Sequence, residues 1–106
     1  MGRKPDLIEE LKGFKRDLDK AIGISRMILF GSNADGTAGP GSDIDLIIVS
    51  EGFDGRDFFK RAAIAYDHWT LHAPVDFLCY TPEEFDKKSR GITIVSHALK
   101  HGIRIA

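Results

Sequence analysis

Ser42-Asp43-Ile44-Asp45-Leu46-Ile47-Ile48-Val49 places two aspartates, one residue apart, at the start of an apolar run. A short apolar run rich in isoleucine and valine is typical of a buried strand, which we predict from Asp43 to Val49. Side chains two residues apart in a strand point to the same face, about 6.7 Å apart along the chain. The opposite face then carries Ile44, Leu46 and Ile48. Two carboxylates at this spacing either bind a divalent cation or cap the strand end in water, and the buried strand weighs against the second.

A third aspartate interrupts another apolar segment, Pro74 to Tyr80, which we predict as a strand. An unpaired carboxylate in apolar surroundings is costly, so Asp76 requires a cation, a helix end or a metal ion beside it. If this strand lies next to the Asp43–Val49 strand, Asp76 joins the other two aspartates on one face. Three carboxylates could then hold two metal ions about 3.5–4 Å apart, as in phosphoryl displacement. The alternative is an edge-strand aspartate paired with lysine or arginine.

A glycine-serine turn, Gly31-Ser32, follows the first predicted strand, Ile24 to Phe30. Glycine allows backbone amides to turn toward a ligand, and a serine hydroxyl can donate to phosphate oxygens. A short helix beginning here would add partial positive charge for an anion. The loop that follows, residues 33–42, contains three glycines and Pro40, and regular structure throughout it is not expected. The alternative is an ordinary turn.

The rest of the chain alternates helices and strands. We predict helices over residues 5–22 and 56–69, a short helix after the capping box that begins at Thr81, and a further helical segment over residues 92–100. Residues 103–105 are predicted as an edge strand. In the second helix, the packed side is predicted to carry Phe58, Phe59, Ala62, Ala63 and Tyr66, and Trp69 is also predicted in the core or an interface. This order predicts an α/β or α+β fold.

Composition excludes several classes of protein. The 106 residues include 15 lysines and arginines against 16 aspartates and glutamates, a net charge of -1 that argues against direct nucleic-acid binding and a polybasic membrane surface. No apolar stretch approaches the roughly 18 residues of a membrane span. The single cysteine, Cys79, is predicted to be a buried, reduced thiol. We therefore expect a cytoplasmic protein with one domain, residues 1–106, and leave open whether it forms a homo-oligomer.

Three segments together resemble the nucleotidyltransferase superfamily of DNA polymerase β type: Leu29-Phe30-Gly31-Ser32, Ser42–Val49 and Val75-Asp76-Phe77. The likeness is greatest to its smallest members, the minimal nucleotidyltransferases, which are often paired with HEPN-domain proteins, and it runs from Ile24 to the carboxyl end. The resemblance implies a polymerase β-like fold, with a small mixed sheet packed with helices.

The same resemblance implies roles for six residues. Three would bind Mg²⁺, two ions in all, and carry the catalysis: Asp43, Asp45 and Asp76. Three would contact the nucleotide: Gly31, Ser32 and Ser42. The implied reaction transfers a nucleoside monophosphate, AMP from ATP or another nucleoside triphosphate, to an acceptor hydroxyl that Asp76 helps to deprotonate. The implied acceptor is a HEPN-type partner protein in a toxin–antitoxin pair, with this chain as the antitoxin.

One departure from the family pattern supports an alternative. The family often has Gly-Ser-Arg-Ala-Arg-Gly after the first strand, whereas this chain has Gly31-Ser32-Asn33-Ala34-Asp35-Gly36. Arginine neutralises and forks onto phosphate oxygens, whereas an aspartate repels them. The candidates for a substitute charge are Lys60, Arg61, Lys87, Lys88 and Arg90. The alternative function is therefore a weak or inactive nucleotidyltransferase-fold module that acts by protein–protein binding.

The four histidines form two pairs spaced four residues apart: His68 with His72 and His97 with His101. That spacing can bring two imidazoles to one metal ion on a helix. The first pair is predicted to be split by a helix end, and Gly102 ends the helix after the second. We therefore predict exposed or helix-end positions for all four.

Overall fold

The computed structural model describes residues 3–39 and 41–106, so Pro40 of the predicted loop lies outside the described residues. Five helices run over Arg3–Ile22 (α1), Ser32–Asp35 (α2), Phe58–Asp67 (α3), Pro82–Ser89 (α4) and Ile94–His101 (α5). Four strands run over Arg26–Phe30 (β1), Ile44–Val49 (β2), Val75–Tyr80 (β3) and Ile103–Arg104 (β4), with a 3-10 turn at Glu51–Phe53. The predicted mixed fold is confirmed, and the element limits lie within about two residues of the predicted ones in most cases.

The strands form one mixed sheet in the order β3-β2-β1-β4. β1 pairs antiparallel with both β2 and β4, and β2 pairs parallel with β3 through a crossover that contains α3. A parallel pair needs such a crossover because the chain must return to the same end of the sheet. The second and third strands are therefore neighbours, which is the condition under which Asp76 was expected to join the other aspartates.

Each face of the sheet is covered by its own helices. On the first face, helices α1 and α3 pack against apolar side chains of the strands. The helices contribute Leu11, Phe14, Leu18 and Ala65, and β2 contributes Ile44, Leu46 and Ile48. The second face carries Ile47 and Val49, packed against α4 and α5. We call the buried apolar side chains on these two faces the first and the second cluster. The alternation predicted for β2 is confirmed, because its even-numbered side chains lie in the first cluster and its odd-numbered apolar side chains in the second. Cys79 is buried as predicted, and burial raises the pKa of its thiol to about 12.

The predicted packed side of α3 is wrong in part. Phe58 is 57% exposed, Phe59 is 81% exposed and Ala63 is exposed, whereas Ala65 is fully buried. The reason is that α3 lies along the open edge of β3 and contacts it with polar groups. Arg61 Nη1 donates to the Cys79 carbonyl at 3.1 Å, and the Tyr66 hydroxyl donates to the Val75 carbonyl at 2.7 Å. These bonds cover carbonyls of an edge strand that would otherwise be open to another strand.

The prediction for Trp69 is confirmed. Its indole ring lies 5.0 Å from Phe14 and 5.7 Å from Phe77, centroid to centroid, and packs against the first cluster. Its Nε1 donates to the Ala73 carbonyl at 3.0 Å, which satisfies the one polar group of the ring. The tryptophan therefore anchors the segment between α3 and β3.

A fully buried serine joins the end of β2 to the end of α1. The Ser50 hydroxyl donates to the Gly23 carbonyl at 2.6 Å, and its oxygen accepts from the Gly52 amide at 3.0 Å. We expect Ser50→Ala to lower the free energy of unfolding by about 2 kcal/mol, because two backbone groups lose their partner.

Chemical denaturation of Ser50→Ala beside Ser89→Ala measures this effect. The exposed Ser89 hydroxyl donates to the Asp86 carbonyl, and its loss should change stability by no more than about 0.5 kcal/mol. Equal losses in the two variants would show that the buried bonds of Ser50 contribute nothing specific.

None of the helices in the described ranges is both long enough and apolar enough to cross a bilayer.

Candidate active site

Two of the three predicted carboxylates lie side by side on the second face of the sheet. Asp45 of β2 is the register partner of Asp76 of β3 and, on its other side, of Phe30 of β1. Neighbouring strands are about 4.8 Å apart, so the three side chains form a row across the sheet. Asp45 is partly buried and Asp76 is exposed. The structure thus brings Asp45 and Asp76 together at one end of the sheet.

Asp43 lies just outside the strand that was predicted to contain it. β2 begins at Ile44, whose amide donates to the Pro74 carbonyl at 2.9 Å. Asp43 therefore lies in the exposed irregular segment before β2 rather than in a strand position. It is still near enough to act on Asp45 through its charge.

The carboxylates repel one another. The pKa of Asp45 is raised, chiefly because burial disfavours its charged form and further because Asp76 and Asp43 carry like charge. A cation among them would relieve this repulsion. The residues of ranges 3–39 and 41–106 contain no group of three His, Cys, Asp or Glu side chains that could hold a metal ion as they stand. One or two carboxylates suffice for Mg²⁺, which keeps several waters and takes substrate phosphate oxygens, so the Asp45–Asp76 pair fits this ion.

The raised pKa of Asp45 predicts a pH dependence of stability. Because the folded carboxyl holds its proton more tightly than the unfolded one, the folded state binds more protons between the ordinary pKa of 3.8 and the raised value. Stability from this group is therefore lost as the pH rises through that window. We expect the free energy of unfolding of Asp45→Asn, minus that of the wild type, to grow across the window and then level off.

Chemical denaturation in metal-free buffer, at a series of pH values, measures this difference. Subtracting the wild type removes the contributions of other groups, such as Glu84, whose pKa is lowered by its hydrogen bond to Arg61. A difference that stays constant with pH, or changes in the opposite direction, would be inconsistent with a raised pKa of Asp45.

The glycine-serine turn lies directly against the carboxylates. Gly31 has φ 75° and ψ −159°, a conformation that is essentially restricted to glycine. A Cβ atom at Gly31 would collide with the Asp45 carboxylate, whose Cγ would lie 3.3 Å away and one oxygen closer still. Ser32 then begins the short helix α2, so the helix considered at this turn is present. The proposed phosphate-binding turn and the acidic row therefore form one site.

The loop after α2 is held by residues that replace the family arginines. Asn33 Nδ2 donates to the Asp43 carbonyl at 2.8 Å, and Asp35 Oδ1 accepts from the amide and hydroxyl of Thr37. The Ser42 oxygen accepts from the Gly39 amide at 2.9 Å. Sequence reasoning missed the role of Asn33, although an asparagine in a glycine-rich loop is a common sign of side-chain-to-backbone bonding.

Three of the proposed substitute cations are engaged away from this site. Arg61 forms an ion pair with Glu84, with Nη1 2.6 Å from Oε1, and this bond raises the pKa of Arg61. Arg90 is paired with an aspartate on α4, and Lys88 Nζ lies 5.6 Å above the ring of Tyr80. Tyr80 is the last residue of β3, roughly 13 Å along the strand from Asp76. These contacts therefore lie toward the opposite end of the sheet.

Comparison with known proteins gives a family and a fold. A family model described as a nucleotidyltransferase domain matches residues 8–101. A solved structure of a proposed nucleotidyltransferase from Sulfolobus solfataricus is similar with a TM-score of 0.64, 21% identity, and coverage of 79% of this chain and 75% of that chain. A chain from a toxin–antitoxin complex solved with AMP-PNP has a TM-score of 0.61 and 21% identity, with coverage of 90% and 72%. At these identities the two structures establish the fold alone. No curated protein sequence matches the chain.

Proposed function

This chain belongs to the nucleotidyltransferase domain family, and from that premise we propose that it transfers AMP from ATP to a hydroxyl group of a partner protein. The observation that carries the proposal is the contact between the two halves of the site. The Gly31 backbone lies against the Asp45 carboxylate, and Asp76 stands beside Asp45 on the same face. A nucleotide whose phosphates rest on the turn would therefore have its reacting phosphorus next to the acids.

The acidic residues are the proposed ligands of Mg²⁺, with two ions held among Asp43, Asp45 and Asp76. Bound there, the ions would neutralise phosphate charge and polarise the α-phosphate. Burial and, after it, the like charges of Asp76 and Asp43 raise the pKa of Asp45, and the repulsion supports this assignment because a bound cation would remove it.

The proposed nucleotide contacts come from the turn and the end of the loop. Gly31 and Ser32 would contact phosphate oxygens with backbone and hydroxyl donors. The oxygen of Ser42 already accepts from Gly39, which leaves its hydroxyl hydrogen to donate to the nucleotide.

In the proposed reaction, the acceptor hydroxyl attacks the α-phosphorus of ATP and a carboxylate acts as the base. The acceptor hydroxyl oxygen bonds to the α-phosphorus, the bond between that phosphorus and the bridging oxygen breaks, and pyrophosphate leaves. Asp76 takes the hydroxyl proton. It suits this role because it is exposed, so an acceptor on another molecule can reach it, and because it is next to Asp45.

We further propose that the partner is a HEPN-type toxin and that this chain acts as the antitoxin, with residues 1–106 as one catalytic domain. Support comes from the similar chain in a toxin–antitoxin complex solved with AMP-PNP. Exposed apolar side chains at Ile92 and Ile94, before and at the start of α5, offer surface that a protein partner could cover.

A second candidate is a module that neutralises its partner by binding without catalysis. The observation that favours it is the loop, where Asn33 donates to the Asp43 carbonyl and Asp35 accepts from the Thr37 amide, and neither supplies the charge of an arginine. The Asp45–Asp76 pair favours the enzyme, because two adjacent carboxylates with no cation would only destabilise the fold.

A labelling experiment distinguishes the two. The chain is incubated with Mg²⁺, a HEPN-type partner and each ribonucleoside triphosphate, labelled at either the α- or the γ-phosphate. We expect label on the partner from α-labelled ATP only, together with release of pyrophosphate. The control variant is Asp67→Asn, an exposed aspartate at the end of α3 that should not affect transfer. Transfer of the γ-label, or no transfer above an Asp43→Asn/Asp45→Asn variant, contradicts the proposal.

A further inference from the structure

A pocket of about 260 Å³ lies beside the acidic row. Its lining includes Phe30, Gly31 and Asp35 on one side and Ile94, His97 and His101 on the other. Phe30 is the register partner of Asp45, so the pocket continues the row of Asp76 and Asp45 toward α5. It therefore lies next to the proposed phosphate-binding turn, on the same face of the sheet as the carboxylates.

Two imidazoles of α5, those of His97 and His101, line one wall of this pocket. The rings of His97 and His101 are exposed, with centroids 4.6 Å apart. α5 is fixed in place because its Val95 and Ala98 side chains are buried against the second face of the sheet. A capping box at Thr93 also fixes the start of the helix. The histidines are thus held by a rigid element, as precise contacts with a ligand require.

The phosphates of a nucleotide require positive charge, which Asn33 and Asp35 of the loop do not supply. Asp35 lies in the pocket lining, and Asp43, Asp45 and Asp76 add further negative charge nearby. Cationic side chains with defined contacts lie elsewhere: Arg26 is over Phe85, and Arg61 is paired with Glu84. An imidazole donates an N–H when neutral and carries a positive charge when protonated, so it can bind phosphate oxygens in either state.

We propose that His97 and His101 bind the phosphate chain of the nucleotide from the α5 side, opposite Gly31. This inference rests on the proposed function and assigns it two further substrate-binding residues. The two imidazoles supply, from a helix close to the carboxyl end, the donors that Asn33 and Asp35 do not supply from the loop.

The test compares three ligands: Mg²⁺-ATP, Mg²⁺-tripolyphosphate and adenosine. Calorimetric titration of His97→Ala/His101→Ala should give at least about tenfold weaker binding of both phosphate ligands than the wild type. Binding of adenosine should be unchanged. His97→Gln/His101→Gln should recover part of the affinity, because the amide keeps an N–H donor. The matched control is Lys100→Ala, which removes a full charge from the exposed part of α5 without altering the pocket lining.

Several results would overturn the proposal. If Lys100→Ala weakened binding as much as the histidine double variant does, the effect would be one of general charge. If the double variant weakened the binding of ATP but not of tripolyphosphate, the rings would contact the base or ribose instead. Unchanged binding in the double variant would exclude the contact while leaving the proposed function intact. If the wild type binds neither phosphate ligand, the proposed function itself fails, and this inference with it.

Nuclear magnetic resonance of the wild-type protein gives an independent reading. Adding Mg²⁺-tripolyphosphate should shift the imidazole nitrogen signals of His97 and His101 and leave those of His68 and His72 unchanged. His68 is a suitable internal reference, because its Nδ1 already lies 3.0 Å from the Ile64 carbonyl on α3. If adding Mg²⁺-tripolyphosphate shifted the signals of none of the four histidines, the proposed contact would be contradicted.

Discussion

Asp45→Asn is expected to lower the rate of nucleotidyl transfer by at least about a hundredfold, while the free energy of unfolding stays the same or rises. The loss follows because Asp45 lies next to Asp76 in the sheet and is the residue against which Gly31 packs. Stability is retained because a neutral amide avoids both the burial of a charge and the repulsion from Asp76 and Asp43, which together raise the pKa of the native carboxyl. Transfer of α-labelled phosphate and thermal unfolding, measured on the same preparation, test both parts.

Asp67→Asn is the matched control for this change. It makes the same chemical replacement at an exposed position outside the site, and both measurements should remain at wild-type values. If Asp45→Asn instead lost much of its stability in metal-free buffer, the carboxylate would have a structural role, and our account of the acidic row would be wrong.

Gly31→Ala is expected to abolish metal-dependent nucleotide binding and to lower the free energy of unfolding by at least about 2 kcal/mol. The backbone at Gly31 has a conformation that other residues adopt only at a cost, and the new methyl group would overlap the Asp45 carboxylate. That carboxylate would have to move from its place beside Asp76, so the loss of binding would exceed what strain alone produces. Chemical denaturation and calorimetric titration with Mg²⁺-ATP measure the two effects.

The control for this variant is Gly36→Ala, at the other end of α2. Gly36 also has a positive φ, 86°, but a Cβ atom there would meet nothing within 4 Å. We expect it to cost about 1 kcal/mol of stability and to leave nucleotide binding intact. Similar binding losses in the two variants would mean that the contact between Gly31 and Asp45 has no special part in the site.

Local pattern was sufficient to predict most of the fold. The alternation in β2, the strands around Phe30 and Asp76, and the capping box at Thr81 all depend on residues close in sequence, and the structure contains each of them. The proximity of Asp45 and Asp76, by contrast, depends on residues that are far apart in sequence. Asp45 and Asp76 are neighbours because β2 and β3 pair in parallel, which the sequence allowed but did not require.

Long-range packing explains what the sequence did not reveal. The exposure of Phe58 and Phe59 follows from the position of α3 on the edge of β3, where Arg61 and Tyr66 make the contacts. Aromatic residues are usually buried, so the pattern alone favoured the wrong face.

The four-residue spacing of the two histidines on α5 could be read from the sequence, but their position beside Gly31 could not. Only the packing of α5 over the second face brings His97 and His101 to a pocket shared with Gly31. Spacing within a helix indicates which residues share a face, and the neighbour of that face depends on the tertiary structure.

Calorimetric titration of the chain with each of the four ribonucleoside triphosphates, in Mg²⁺ and in EDTA, tests the central claim most directly. The same titrations are made with the Asp43→Asn/Asp45→Asn variant. We predict binding that depends on Mg²⁺, is strongest for ATP and is lost in the double variant. No binding at millimolar nucleotide, or equal binding by the variant, would contradict the assignment of a nucleotide site to this face of the sheet.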